Sequence, residues 1–234
     1  MKNALITGTT SGIGFEVTKK LLEKNFTVIG ISSSKNQFID SKNYFHHQID
    51  LSNSLKAIEE IESISKKIKH LDTLILNSGK GLIGYHEELN SKKLIEMMNL
   101  NFITPILLTK LFLRKIKESK GTIFIISSIT AKNSSPLASA YSATKAGITR
   151  FGNSIFEEIR RYGAKVVNIH PDIVKTNFYK DTNIEEYPDR DSYILPEEIA
   201  NTISFVLEQP EIIFQDIVIY PQMKRIKRKL SKTK

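Results

Sequence analysis

Two stretches of the chain carry residue types at spacings that suit chemistry. The first is Thr7-Gly8-Thr9-Thr10-Ser11-Gly12-Ile13-Gly14. Gly8 can turn tightly, Gly12 admits a phosphate close to the backbone, and Gly14 lets a helix pack closely. A helix starting near Ile13 would aim free N–H groups and its positive dipole end at a pyrophosphate. The Thr10 and Ser11 hydroxyls add donors. The second stretch is Tyr141-Ser142-Ala143-Thr144-Lys145. Residues i and i+4 share a helix face, so the Lys145 ammonium can sit beside the Tyr141 oxygen. A free phenol titrates near pH 10, and a neighbouring cation is expected to lower that value. Such a phenol could give or take the proton that accompanies hydride transfer at a carbonyl. With 8 Tyr and so many Lys in 234 residues, chance supplies about one such spacing. Position in a fold therefore has to decide.

The chain alternates short apolar runs with amphipathic segments. Strands are expected at residues 4–6, 26–31, 44–49, 74–76, 122–127, 165–169 and 217–220. Helices are expected at 13–24, 53–69, 90–118 (broken or bent before Pro105), 138–162 and 196–208. Pro196 suits the first turn of the last helix. Continuously apolar strands alternating with helices imply a parallel sheet covered on both faces. The expected fold is α/β: a Rossmann-like, doubly wound, seven-stranded parallel sheet in three α/β/α layers. Such folds bind ligands beyond the carboxyl ends of their strands. Both stretches fall near that edge.

A length of 234 residues and a hydrophobic fraction of 40% suit one domain. The absence of cysteine removes disulfides, thiol nucleophiles and thiolate metal sites, and fits a reducing compartment. The start lacks the shape of a signal peptide, and no run reaches the roughly 18 apolar residues of a membrane span. A cytoplasmic protein without membrane attachment is expected. The net charge of +9 is mostly local: residues 224–234 (KRIKRKLSKTK) hold seven basic residues and no acid, which leaves +2 for residues 1–223. The expected division is one domain at 1–223 and a solvated basic tail at 224–234. The tail lacks interleaved aromatics, so nucleic-acid binding is not expected.

The glycine turn, with its TGxxxGxG spacing, resembles that of the short-chain dehydrogenase/reductase (SDR) family, and the resemblance runs from about residue 2 to 220. It implies a nicotinamide cofactor and a catalytic set of Asn101, Ser128, Tyr141 and Lys145, with Ser128 13 residues before Tyr141. In that set Tyr141 exchanges the proton and Ser128 orients the substrate oxygen. Lys145 binds the nicotinamide ribose, and Asn101 holds a water leading from Lys145 to solvent. Asp50 and Leu51 match the adenine site, although Asp50 could instead cap the following helix. Asn77-Ser78-Gly79 matches the segment that backs the adenosine ribose, with Ser78 where the family has a second Asn. Pro171, Val174 (or Ile173) and Thr176 match the carboxamide and pyrophosphate contacts. Asp172 replaces a family glycine, so the turn there is expected to differ. His170 reads as structural.

An acid after the second strand would bind a ribose hydroxyl and repel a 2′-phosphate. Ser32, Ser33, Ser34 and Lys35 stand there instead, so NADP(H) is favoured over NAD(H). Residues 177–195 occupy the place of the family's substrate-covering loop. The resemblance also implies that the helices at 102–118 and 139–162 pair across a two-fold axis in a homodimer or homotetramer. The expected activity is hydride exchange with a small carbonyl or secondary alcohol. The competing expectation is a nucleotide-sensing protein that keeps the fold without turnover.

Overall fold

The computed structural model describes residues 2–36, 40–180, 182 and 184–228. Its strands are β1 (Asn3–Thr7), β2 (Thr27–Ser32), β3 (Tyr44–Gln48), β4 (Thr73–Leu76), β5 (Thr122–Ile126), β6 (Lys165–Pro171), β7 (Ile184–Glu186), β8 (Asp216–Ile219) and β9 (Ile226–Arg228). Seven of them form one sheet in the order β3-β2-β1-β4-β5-β6-β8, and every pair is parallel. This is the expected Rossmann-like sheet. Strand order reverses between β1 and β4, which opens the crevice beyond their carboxyl ends.

The period-two alternation of strands explains the two cores. Leu5, Leu74 and Ile123 face one layer, where they meet Phe112, Ile116 and Phe156. Ile6, Ile75 and Phe124 face the other, against Val17, Leu21 and Ile203. The first layer holds α2 (Ser54–Ser65), α4 (Thr104–Ser119) and α5 (Ser139–Ile159), and the second holds α1 (Gly12–Glu23) and α6 (Pro196–Leu207). The helix expected over 53–69 is shorter. Asn53 caps its start by accepting from the Lys56 N–H, and the chain turns away after Ser65.

The expected bend before Pro105 takes a defined form. α3 (Ser91–Met98) runs into a π-helical stretch, Asn99–Ile103, and then into α4. Proline has no N–H for the carbonyl four residues back, so the ladder loosens there. The joined helix Ser91–Ser119 is apolar enough by length and composition to cross a bilayer. Its apolar residues Leu108, Phe112 and Ile116 are instead buried in the sheet core.

The basic segment departs from expectation. Residues 226–228 do not leave the domain as tail; β9 pairs antiparallel with β7, inside the loop expected to cover the substrate. Opposite charge explains the choice of partner: Lys227 binds Glu185 at 3.0 Å and Arg225 binds Asp189 at 2.9 Å. Residues 229–234 of the expected tail lie outside the described residues.

Candidate active site at the carboxyl edge

A cavity of about 600 Å³ lies over the carboxyl ends of the central strands. One end begins at the turn after β1, where the Gly8 N–H donates to the Ile31 carbonyl at 2.7 Å. Gly12 sits at φ +56°, in the left-handed region. Gly14 lies behind the wall, and a Cβ there would stand 2.1 Å from the Gly8 carbonyl oxygen. Its role is close packing of α1 on the turn. Ser11 leads into α1 without its side chain capping the helix, so Thr10, Ser11, Gly12 and Ile13 face the cavity with hydroxyls and first-turn N–H groups.

Asn77 steadies this turn from β4. Its amide donates to the carbonyls of Thr7 (2.9 Å) and Gly8 (3.2 Å). The Asn77 and Ser78 N–H groups both donate to the Thr7 hydroxyl. Asp50 and Leu51 also line the cavity. Asp50 does not cap α2, since Asn53 does; its carboxylate accepts from the Ser52 N–H and hydroxyl at 2.9 and 2.8 Å.

The serine run splits. Ser32 is buried, with its hydroxyl bound to His46 Nε2 at 2.7 Å and to the Ser34 carbonyl at 3.1 Å. Ser33 and Ser34 are exposed at the cavity rim. All three line the cavity, but the Ser32 hydroxyl already has two protein partners, whereas Ser33 and Ser34 stand open at the rim.

At the other end Ser128, Tyr141 and Lys145 line one wall. Ser128 follows β5 directly, and α5 presents Tyr141 and Lys145 on its buried side. The Lys145 Nζ donates to the Ile126 carbonyl at 2.8 Å and lies 5.8 Å from the Tyr141 ring centre. Burial lowers the Lys145 ammonium to about 8. Burial also pushes the Tyr141 phenol up to about 12, against a hydrogen bond with Ser128 that lowers it. This corrects the expectation that Lys145 pulls the phenol below its usual value. Both groups are buried, and loss of water dominates both shifts.

Asn101 sits in the π-helical stretch, buried behind the wall. Its side chain is fully engaged. Oδ1 accepts from the Lys80 N–H at 2.9 Å, and Nδ2 donates to the Lys80 carbonyl (2.9 Å) and the Thr144 hydroxyl (3.3 Å). Gly79 makes room for this cluster: a Cβ there would stand 3.2 Å from Asn101 Oδ1 and 3.4 Å from Lys145 Nζ.

Pro171 ends β6, and Val174 and Thr176 line the cavity beyond it. The turn needs no glycine, because Asp172 is not among the residues of positive φ. The Thr176 methyl borders Gly12, while its hydroxyl accepts from the Phe178 N–H. Several wall residues have no sequence signal of their own. Leu82, Phe178 and Tyr179 close the space beside Tyr141, with Phe178 5.8 Å from the Tyr141 ring centre. Lys80 and Glu96 join at 2.9 Å on the same rim.

Phe178 and Tyr179 belong to the loop that β9 fastens. Removing residues 224–234 should leave the melting temperature nearly unchanged, because exposed ion pairs contribute about 0–1 kcal/mol each. It should raise KM for the substrate several-fold. Equal KM in full-length and shortened protein, in parallel assays, would show that the strap does not shape the site.

The sequence matches the short chain dehydrogenase family over residues 2–186. The protein belongs to that family and is an oxidoreductase of carbonyl and alcohol groups that works with a nicotinamide cofactor. It is 29% identical over 218 residues to the 3-oxoacyl-acyl-carrier-protein reductase of Buchnera aphidicola subsp. Schizaphis graminum, spanning 88% of this chain and 89% of that one. Among solved structures it resembles a 4-hydroxyisoleucine dehydrogenase complexed with NADH (TM-score 0.84, 25% identity, 94% of this chain and 98% of that one). The alcohol dehydrogenase of Thermococcus sibiricus complexed with 5-hydroxy-NADP shares the fold (TM-score 0.84, 21% identity, 96% and 98% coverage).

Proposed function

We propose that the enzyme reduces a small carbonyl compound with NADPH, using Tyr141 as the proton donor. The carrying observation is convergence. Ser128, Tyr141 and Lys145 line one end of a cavity whose other end is the glycine turn. The residues fit a dinucleotide: the backbone at Gly12 can meet a pyrophosphate, and Ser33 and Ser34 offer hydroxyls at the rim where β2 brings no acid. The bound cofactor supplies the hydride.

The chain's own residues do the rest. Ser128 holds the substrate oxygen by hydrogen bonding, beside the Tyr141 hydroxyl. A phenol at about 12 keeps its proton at neutral pH and gives it up only as negative charge grows on that oxygen. Lys145 contacts the ribose and supports the phenolate left behind. Asn101, its side chain spent on Lys80, acts through its backbone carbonyl, which Pro105 leaves without the usual helical donor. That carbonyl can hold the water that returns a proton through Lys145. Leu82, Phe178 and Tyr179 make the wall beside Tyr141 apolar and aromatic, which suits an uncharged carbonyl compound. Pairing of α4 and α5 with a second copy, as homodimer or homotetramer, and a cytoplasmic setting belong to the same proposal. Light scattering tests the pairing.

A screen of carbonyl compounds and sugar nucleotides, run in parallel with NADPH and NADH, tests the reading. Cofactor binding with no turnover across the library would favour a nucleotide sensor.

The pH profile follows from the two buried groups. Free-enzyme groups govern kcat/KM. Tyr141 stays protonated throughout the accessible range, and Lys145 is charged only below about 8. Hence kcat/KM for reduction should be level near neutrality and fall as pH rises through about 8. A profile that climbs through that value would assign the working form to neutral Lys145.

A further inference from the structure

Beneath Ser128 lies a polar cluster that the proposed chemistry does not use. His170, on β6, is completely buried. Its Nδ1 faces the Ser128 backbone carbonyl at 3.2 Å, and its Nε2 faces Asp216 Oδ1 at 3.0 Å. The cluster continues outward. Asp216 Oδ1 also accepts from Asn168 Nδ2 at 3.1 Å, and Asp216 Oδ2 accepts from Lys132 Nζ at 3.1 Å. Asn168 Nδ2 in turn donates to Asn153 Oδ1 of α5.

The ring's two partners are a carbonyl and a carboxylate, and neither brings a proton. A neutral imidazole has one donor and one acceptor nitrogen. With either tautomer, one nitrogen lone pair would face an oxygen lone pair inside the core. Only the ring carrying both protons satisfies both contacts. Asp216 is held below the usual carboxylate range: burial opposes ionisation, but hydrogen bonds from His170, Lys132 and Asn168 outweigh it. It is therefore a ready counterion. The charged side chains around the ring are Asp216 and Lys132, and Asn168 and Asn153 are neutral amides.

We propose that His170, doubly protonated and paired with Asp216, is a positioning residue that fixes the backbone of Ser128. The geometry explains the need. The sheet ladder holds this segment as far as the Ser127 N–H, which donates to the Ile169 carbonyl at 2.8 Å. Ser128 is the first residue beyond it. Its carbonyl accepts from the Ala131 N–H within its own turn at 3.0 Å. His170 ties the same carbonyl back to the sheet. The hydroxyl that orients the substrate is thereby referenced to β6 and β8. The importance of Ser128 rests on the proposed function; the state of the ring does not.

Two measurements separate them. In full-length protein labelled with ¹⁵N, the five histidines give a sparse ring spectrum, and His170 is assigned by its disappearance in His170→Gln. Two protonated ring nitrogens in neutral buffer are expected, and a single protonated nitrogen overturns the proposal. This readout needs no substrate. Full activity in Ser128→Ala, with the ring still doubly protonated, would sink the catalytic reading alone. Kinetics then test positioning. Asp216→Asn should lower kcat about ten- to a hundredfold, as small misplacements do. It should leave the substrate KM within a few-fold, because the side chains of the cavity wall are kept. Lys132→Met removes only the outer contact, and should keep kcat within a few-fold. Wild-type kcat in Asp216→Asn, or an equal loss in both variants, would overturn the positioning role.

Discussion

Replacing Tyr141 by phenylalanine should lower kcat by about 10²–10⁴-fold, the usual contribution of a positioned acid, and leave cofactor affinity within a few-fold. The substitution removes one oxygen and keeps the ring. That ring packs with Met97, Ala138 and the half-buried Phe178, so the wall of the cavity survives. The lost oxygen is both the proposed proton source and the partner of Ser128. Titration of NADPH by fluorescence, with single-turnover kinetics, separates the two effects. Wild-type turnover in the variant would dismiss Tyr141 as the donor. Loss of cofactor binding together with turnover would mean that the phenol holds the site together rather than reacting in it.

Gly14→Ala should be the most damaging substitution for binding. Helix propensity alone predicts a gain of up to about 1 kcal/mol for alanine over glycine. Packing predicts the opposite. The added carbon would stand 2.1 Å from the Gly8 carbonyl oxygen and 2.5 Å from Asn77 Nδ2, and the nearer contact is backbone. Overpacking of this kind costs about 1–3 kcal/mol, occasionally more, so the clash wins. About 3 kcal/mol corresponds to a fall in Tm of roughly 6–12 °C for a chain of this size. The turn proposed to meet the pyrophosphate would move with it, so NADPH affinity should fall as well. Calorimetry checks both, and a raised Tm would show that the turn yields freely.

The fold could be read from the chain because its rules are local. Strands such as Leu74-Ile75-Leu76 are apolar at every position, which only a doubly covered sheet accommodates, and Gly8, Gly12 and Gly14 stand at a strand–helix junction. What could not be read depends on distant neighbours. The phenol of Tyr141 rises because the assembled wall removes water, and no spacing reports enclosure. Ser32 looks identical to Ser33 and Ser34 until His46 arrives beneath it from β3. Asp50 was open between two roles until Asn53 proved to be the cap. β9 has no apolar period, since charge selects its partner some 40 residues away, and it reads as solvated tail.

The π-helical stretch before α4 has a consequence in helical phase. An α-helix turns by about 100° per residue, and the stretch holds one residue more than the ladder would use. It lets Met97 point at the Tyr141 cluster while Leu108 and Phe112 still point at the sheet. Deleting one residue between Asn99 and Ile103 would rotate everything before it by that angle relative to α4, carrying Met97 off its target. Substitutions that keep the length would leave it where it is. Length here is thus a more stringent constraint than side-chain identity, and a natural relative that gained or lost a residue in this stretch would have to rebuild the floor of its active site.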